Sequence, residues 1–176
     1  EWSGHLAPGV AAKDMMLFLC GRLGMAGGRY QAVEYAGSAI AALGMQARMT
    51  LANMTAELGG QAGLVAPDAV TRDWLAQVGV ADIETERWRT DPGAPLAAHH
   101  RFDAAALAPQ VAAPHSPANS DAVAAFAQRR IDIAYIGACT GAKLDDLRMA
   151  ARILRGRRAA SQPDFGDIQG LRWGND

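Results

Sequence analysis

The sequence predicts an α/β domain: three α/β/α layers around a mainly parallel sheet. Three observations point there. The chain has 176 residues, the length of one domain. Half of the residues are apolar but only 6% are aromatic, so the core has to be built from Ala, Val, Leu, Ile and Met. Residues 131–136, Ile-Asp-Ile-Ala-Tyr-Ile, form the best strand pattern in the chain. They run into the Gly-rich GACTGAK and then into an amphipathic helix over 144–154. Strand, turn and helix in that order make the βα unit of a parallel sheet, and ligands sit at the carboxyl ends of its strands.

The other elements follow in order. Met15, Met16, Leu19 and Leu23 recur at helical spacing over 11–23, with Asp14 in the first turn and Gly24 as the stop. Val33-Glu34-Tyr35 alternates like a very short strand, and 37–43 reads as a short helix stopped by Gly44. The spacing predicts a long helix over 45–61 whose face of Met49, Ala52, Ala56, Gly59 and Gly60 allows close backbone approach. Leu64-Val65-Ala66 reads as a short buried strand, and Pro67-Asp68 starts a helix to about Gln77. Residues 79–117 read as an extended crossing segment with one strand at 110–112. Asn119 is expected to cap a helix running to about Arg130. Residues 1–158 are read as the domain and 159–176 as a polar tail or a truncated continuation.

Charge and cysteine usage exclude several function classes. Seventeen basic and eighteen acidic residues give a net charge of −1, which argues against a nucleic-acid surface. No apolar run approaches a membrane span and no secretory signal opens the chain, so a cytoplasmic protein is expected. Two Cys do not make a disulfide framework.

Two places carry chemistry. Cys139 follows the 131–136 strand pattern, between Gly137 and Gly141, where a thiol faces the ligand crevice and a following helix favours the thiolate. Three readings stand: metal or cluster ligand, nucleophile with His115 as its base, or small buried residue. A phosphate loop fails on spacing, because Gly141 precedes Lys143 by two positions and Leu144 follows it. The second place is the pair Asn53 and Glu57, four apart on one helix face among Met49, Ala52, Met54, Ala56 and Leu58. A carboxylate in such a setting can serve as acid, base or hydrogen-bond partner. On spacing alone, an exposed Glu beside an Asn bonded to its own helix is the stronger reading.

Four pieces in fixed order change that balance: GVAAKDMMLFLCGRLGMAGG, then YQAVEYAGSAIAALGMQARMTLANMTAELGGQAGLVAPD, then DAAALAPQVAAPHSPAN, then IDIAYIGACTGAKLDDLRMAARILRGR. Together, with R-M-T-x-x-N-M-x-x-E at the centre, they resemble the aconitase superfamily, in particular its branch of 3-isopropylmalate dehydratase large subunits and homoaconitase-like hydro-lyases. The resemblance covers about residues 4–158. It implies a [4Fe–4S] cluster held by three Cys, whose open iron acts as a Lewis acid on the substrate hydroxyl. It implies Cys139 as the first cluster ligand, and Glu57 and Asn53 as active-site residues that hydrogen-bond the departing hydroxyl and orient cluster or substrate. The implied activity dehydrates and rehydrates a small hydroxy di- or tricarboxylate such as isopropylmalate, a step of leucine biosynthesis. A small subunit or swivelling domain completes the site.

The departures are specific. Gly141 stands where the family usually has Asn. The later Cys-x-x-Cys is absent, and Cys20 matches no ligand, so one matched thiol does not hold the cluster by itself. The family's N-terminal His and Asp residues and the domain carrying its serine base and arginines are also absent. The expectation is a central part of such an enzyme, or else a cluster-free remnant that serves in structure or assembly. Lys143 is read as a candidate for a substrate carboxylate. Asp145 and Asp146 suit the first turn of the last helix, Trp74 and Trp88 are read as packing anchors, His99-His100 as a solvated pair, and His115 as a turn residue.

Overall fold

A computed structural model describes residues 1–80, 83–129, 131 and 133–157. In chain order, β1 (Trp2–Ser3) leads to α1 (Ala12–Leu23), β2 (Ala32–Glu34), α2 (Ser38–Ala41) and α3 (Met45–Met54). These are followed by β3 (Ala62–Leu64), α4 (Ala69–Gln77), β4 (Phe102–Asp103), β5 (Gln110–Ala112) and β6 (Ser120–Ala122), then α5 (Ala138–Gly141) and α6 (Leu144–Leu154). The class is α/β, as expected. The strands among the described residues form three pairs, β1–β4 and β2–β3 parallel and β5–β6 antiparallel.

Helix α1 is the centre of the core. Asp14 fixes its start by accepting the Ala11 N–H at 2.7 Å, and the other oxygen of the same carboxylate accepts from Gln110 N at 2.7 Å, which ties β5 to the helix. Its buried side, Met15, Met16, Leu19 and Cys20, forms one cluster with Ile40, Leu51, Met54 and Leu58. Each such side chain removed from water stabilises by about 1.5–3 kcal/mol. Trp2, Phe18 and Phe102 close one end of the cluster, with ring centroids 4.8–5.7 Å apart.

Arg48, 3% exposed, joins three elements. Its Nε donates to the Leu43 carbonyl at 2.9 Å, and Nη2 donates to the Ala41 carbonyl at 3.0 Å. Nη1 and Nη2 bind the two Asp68 oxygens at 2.7 and 2.8 Å. Asp68 is also the N-cap of α4, accepting from Thr71 N at 3.3 Å. The end of α2, the start of α3 and the start of α4 therefore share one guanidinium.

Five expectations are corrected. The helix expected over 45–61 stops at Met54: Thr55 N turns to the Ala52 carbonyl, and the chain closes at Gly59, φ +80°, with Gly59 N on the Ala56 carbonyl and Gly60 N on the Thr55 carbonyl. The strand expected at 64–66 is shifted to 62–64, and with β2 as its single neighbour it leaves Leu64 exposed. The helix expected from Asn119 does not form. Residues 120–122 pair with β5, Asn119 donates to the Pro114 carbonyl, and 123–126 make only a 3₁₀ turn, so tertiary pairing overrides local propensity. Residues 131 and 133–136 are not a central strand. Ile131, Ile133 and Tyr135 are 72%, 75% and 82% exposed, and no described strand lies beside them to supply backbone partners. Trp88 is not a packing anchor: it is exposed, with the Arg87 guanidinium 4.9 Å from its ring centroid. The expected tail over 159–176 lies outside the described residues.

Replacing Arg48 by Met or Asp68 by Ala is expected to destabilise the protein by about 3 kcal/mol in urea unfolding, because either change leaves a buried or half-buried charge without its partner. The Arg48 hydrogen bonds hold the Asp68 carboxyl below its ordinary value. Its contribution to stability is therefore complete above about pH 4 and declines as the pH falls further toward the folded-state value. Midpoints measured from pH 3 to 7 should show that decline in the wild type, and the decline should shrink in Asp68→Asn.

Candidate functional site

Gln46, Thr50 and Asn53 stand at i, i+4 and i+7 on α3 and therefore share one face. Each of them meets the segment that follows Cys139. Gln46 Oε1 accepts from Asp145 N at 3.3 Å, and Thr50 Oγ1 accepts from Lys143 Nζ at 2.8 Å. Asn53 Oδ1 accepts from Thr140 Oγ1 at 2.7 Å. Lys143 Nζ also donates to the Thr140 carbonyl at 2.9 Å, and Lys143 N donates to Asp146 at 3.1 Å, which starts α6. Helix α3 thus packs against α5, the single turn that contains Cys139.

The end of α3 positions Glu57. Thr55 donates its one proton to the Leu51 carbonyl at 2.9 Å, so the buried Tyr35 hydroxyl, 2.7 Å away, donates to Thr55. Burial pushes the Tyr35 hydroxyl up to about 12, and it remains a donor across the ordinary pH range. Residues 55–59 form the turn after α3, and Gly59 closes it at φ +80°, a conformation that favours glycine. Glu57 lies in that turn, half-buried. Burial raises the Cys20 thiol, and the Glu57 carboxylate raises it further.

Of the site residues expected from sequence, Asn53 and the Cys139 turn are brought together through Thr140. Glu57 lies beyond the regular helix rather than on it. Lys143, by sequence a candidate for a substrate carboxylate, has its ammonium bound by two protein acceptors. The polar triplet Gln46, Thr50 and Asn53 at helical spacing was a signal that the sequence reading used only at Asn53. Lys13 was missed as well: among the described residues, a side chain at Gly141 would meet Lys13 Nζ at 3.7 Å, an ordinary contact distance. Nothing local to Lys13 in sequence announces that neighbour. His115 shapes the β5–β6 turn at φ +83°, and His99 Nε2 lies 2.9 Å from Glu1.

A cavity of about 590 Å³, lined by Trp2, Leu23, Val33, Leu64, His99 and others, contains none of Asn53, Glu57, Thr140 or Lys143. Its lining also carries Glu34, Asp91, His99 and His100, but it reaches neither motif, whereas Gln46, Thr50 and Asn53 converge on the segment after Cys139, so the α3 face is the candidate site that joins the two motifs. Among the described residues, no three of His, Cys, Asp or Glu form a group that could hold a metal ion. No described helix is long and apolar enough to cross a membrane.

Comparison with known proteins finds that residues 1–130 match the family described as the aconitase family (aconitate hydratase). The chain is 39% identical over 158 residues to a 3-isopropylmalate dehydratase large subunit of Moorella thermoacetica, covering 90% of this chain and 37% of that protein. It is 40% identical over 149 residues to the same-named protein of a Sulfurihydrogenibium species, covering 85% and 34%. It is 41% identical over 155 residues to a probable methanogen homoaconitase large subunit of Methanosarcina mazei, covering 88% and 39%. The chain therefore spans between a third and two fifths of the length of these relatives.

The turn that carries Glu57 depends on Gly63. A Cβ at this position would lie 2.7 Å from Ala52 Cα and would also strike Thr55 Oγ1. Gly63→Ala should therefore push β3 off the end of α3, at a cost of about 1–3 kcal/mol. Chemical denaturation measures that loss, and the tyrosine spectrum of Tyr35 should report disturbance of its bond to Thr55.

Proposed function

The chain belongs to the aconitase family, and on that premise we propose that the intact protein is a hydro-lyase. It removes water from, and returns it to, a small hydroxy di- or tricarboxylate such as isopropylmalate, and this chain supplies one wall of the active site. The observation that carries the reading is the 2.7 Å bond from Thr140 to Asn53, residues 87 positions apart. It joins the R-M-T-x-x-N-M-x-x-E helix to the cysteine turn, two motifs that the resemblance assigns to one site.

The roles follow from the side chains. Asn53 orients the turn by accepting from Thr140, and its amide N–H groups are suited to an oxygen of the substrate. Glu57, half-buried at the end of α3, is the carboxyl group that hydrogen-bonds the hydroxyl as it departs as water. The relatives are named large subunits, and we infer that a small subunit or swivelling domain carries the remaining substrate contacts.

The resemblance implies a [4Fe–4S] cluster for the intact protein, and this chain cannot complete one. The chain has two cysteines. Cys20 is buried in the core of α1 with its thiol pushed up by burial, so it is unsuited as a thiolate ligand. Cys139 is the single thiol left to offer, and a three-Cys cluster needs two more from elsewhere.

Glu57→Gln in the intact protein, assembled with its small subunit, keeps the shape of the side chain and removes its charge. If the carboxylate acts on charge that develops in the transition state, kcat should fall by about 10²–10³ with little change in KM. Unchanged kcat would sink the assignment of Glu57. Absence of any hydro-lyase activity in an assembled, cluster-replete wild type would sink the function.

A further inference from the structure

We propose that Lys143 is a positioning residue that locks the Cys139 turn onto α3, and not a contact for substrate. The inference rests on the reading that Asn53 and Cys139 share one active site.

The turn needs such a lock. Helix α5 has four residues, too few to sustain a helix without tertiary support. The chain that leads into it, residues 133–136, is exposed and is not paired in any described strand. What fixes the turn is side-chain bonding, and Lys143 makes two of the bonds. Thr50 is 5% exposed and donates its only hydroxyl proton to the Gln46 carbonyl at 3.2 Å. Its oxygen is therefore an acceptor, aimed at Lys143 Nζ 2.8 Å away. The second bond, 2.9 Å, runs to the Thr140 carbonyl in α5.

Thr140 is thereby held at both ends. Its hydroxyl is bound to Asn53 and its carbonyl to Lys143. Because Thr140 directly follows Cys139, these two anchors fix the course of the backbone at the cysteine. A substrate carboxylate would have to compete with two protein acceptors for the Lys143 ammonium, and one of them is buried.

Amide hydrogen exchange on the intact protein, read by mass spectrometry, tests the lock. A charge-assisted bond to a buried acceptor predicts that Lys143→Met speeds exchange across 138–146 by about tenfold or more, with exchange in α1 unchanged. Thr50→Val removes the acceptor while leaving Lys143 in place, so it gives the same result even where Lys143→Met folds poorly. The double variant should exchange no faster than the faster single one, and Lys143→Arg should restore most of the protection. Wild-type exchange in both single variants would overturn the proposal. So would unchanged exchange in Lys143→Met together with a raised KM, which marks a substrate contact. A wild type that shows the lock but no hydro-lyase activity would remove the proposed function and keep the positioning role.

Discussion

The rest of the structure depends on how a buried guanidinium is satisfied. Arg48 carries its guanidinium charge into the core, so that charge must be met in place by hydrogen-bond acceptors. The acceptors come from the end of α2, the loop before α3 and the cap of α4. Meeting them leaves α3 one orientation at its N-terminal end. From there α3 reaches α1, β3, α4 and α5, so an error in its placement would be passed to every neighbour. Its other end is set by contact distance rather than charge, since Gly63 allows β3 to lie directly against Ala52 and Thr55. One polar and one steric constraint together fix the helix that carries Asn53 and presents Glu57 just beyond its end.

What could be read from sequence divides along the same physical line. Elements specified by their own periodicity and end signals were legible: α1 with Asp14 and Gly24, α4 with Asp68 as cap, and α6 over 144–154. Strand β5 was legible at 110–112. Elements whose form is decided by a neighbour were not. The apolar alternation over 131–136 is a fair strand pattern, but a strand exists only where another supplies its hydrogen bonds, and none of the described residues does so. The Ala-rich stretch after Asn119 has helical propensity, which pairing with β5 outweighs. The end of α3 differs for a local reason: Gly59, at φ +80°, and Gly60 close onto the Ala56 and Thr55 carbonyls, although both glycines fit the expected helix face.

The candidate site was legible in the same uneven way. Asn53, Glu57 and Cys139 were found through motif resemblance, and periodicity alone would have left Asn53 and Glu57 as an ordinary exposed helix face. What distinguishes Asn53 is a partner 87 positions away, which no local pattern encodes. Thr50 and Gln46 needed the same distant segment before their helical spacing acquired a meaning.

A polar contact face suits this part of the molecule better than an apolar one would. Hydrogen bonds are directional, so those between α3 and the segment after Cys139 set its register. Three side chains one helical turn apart meet a side-chain hydroxyl, an ammonium and a backbone N–H in succession. A shift of the segment along α3 would break all three pairings at once, while a shift of a greasy contact would merely exchange one neighbour for another. Positional accuracy at a site comes from residues whose own geometry is locked, and here the lock is a ladder of unlike polar groups with one matching alignment. The exposed side chains of Ile131, Ile133 and Tyr135 are compatible with a well-fixed turn on the same ground: the turn takes its position from α3.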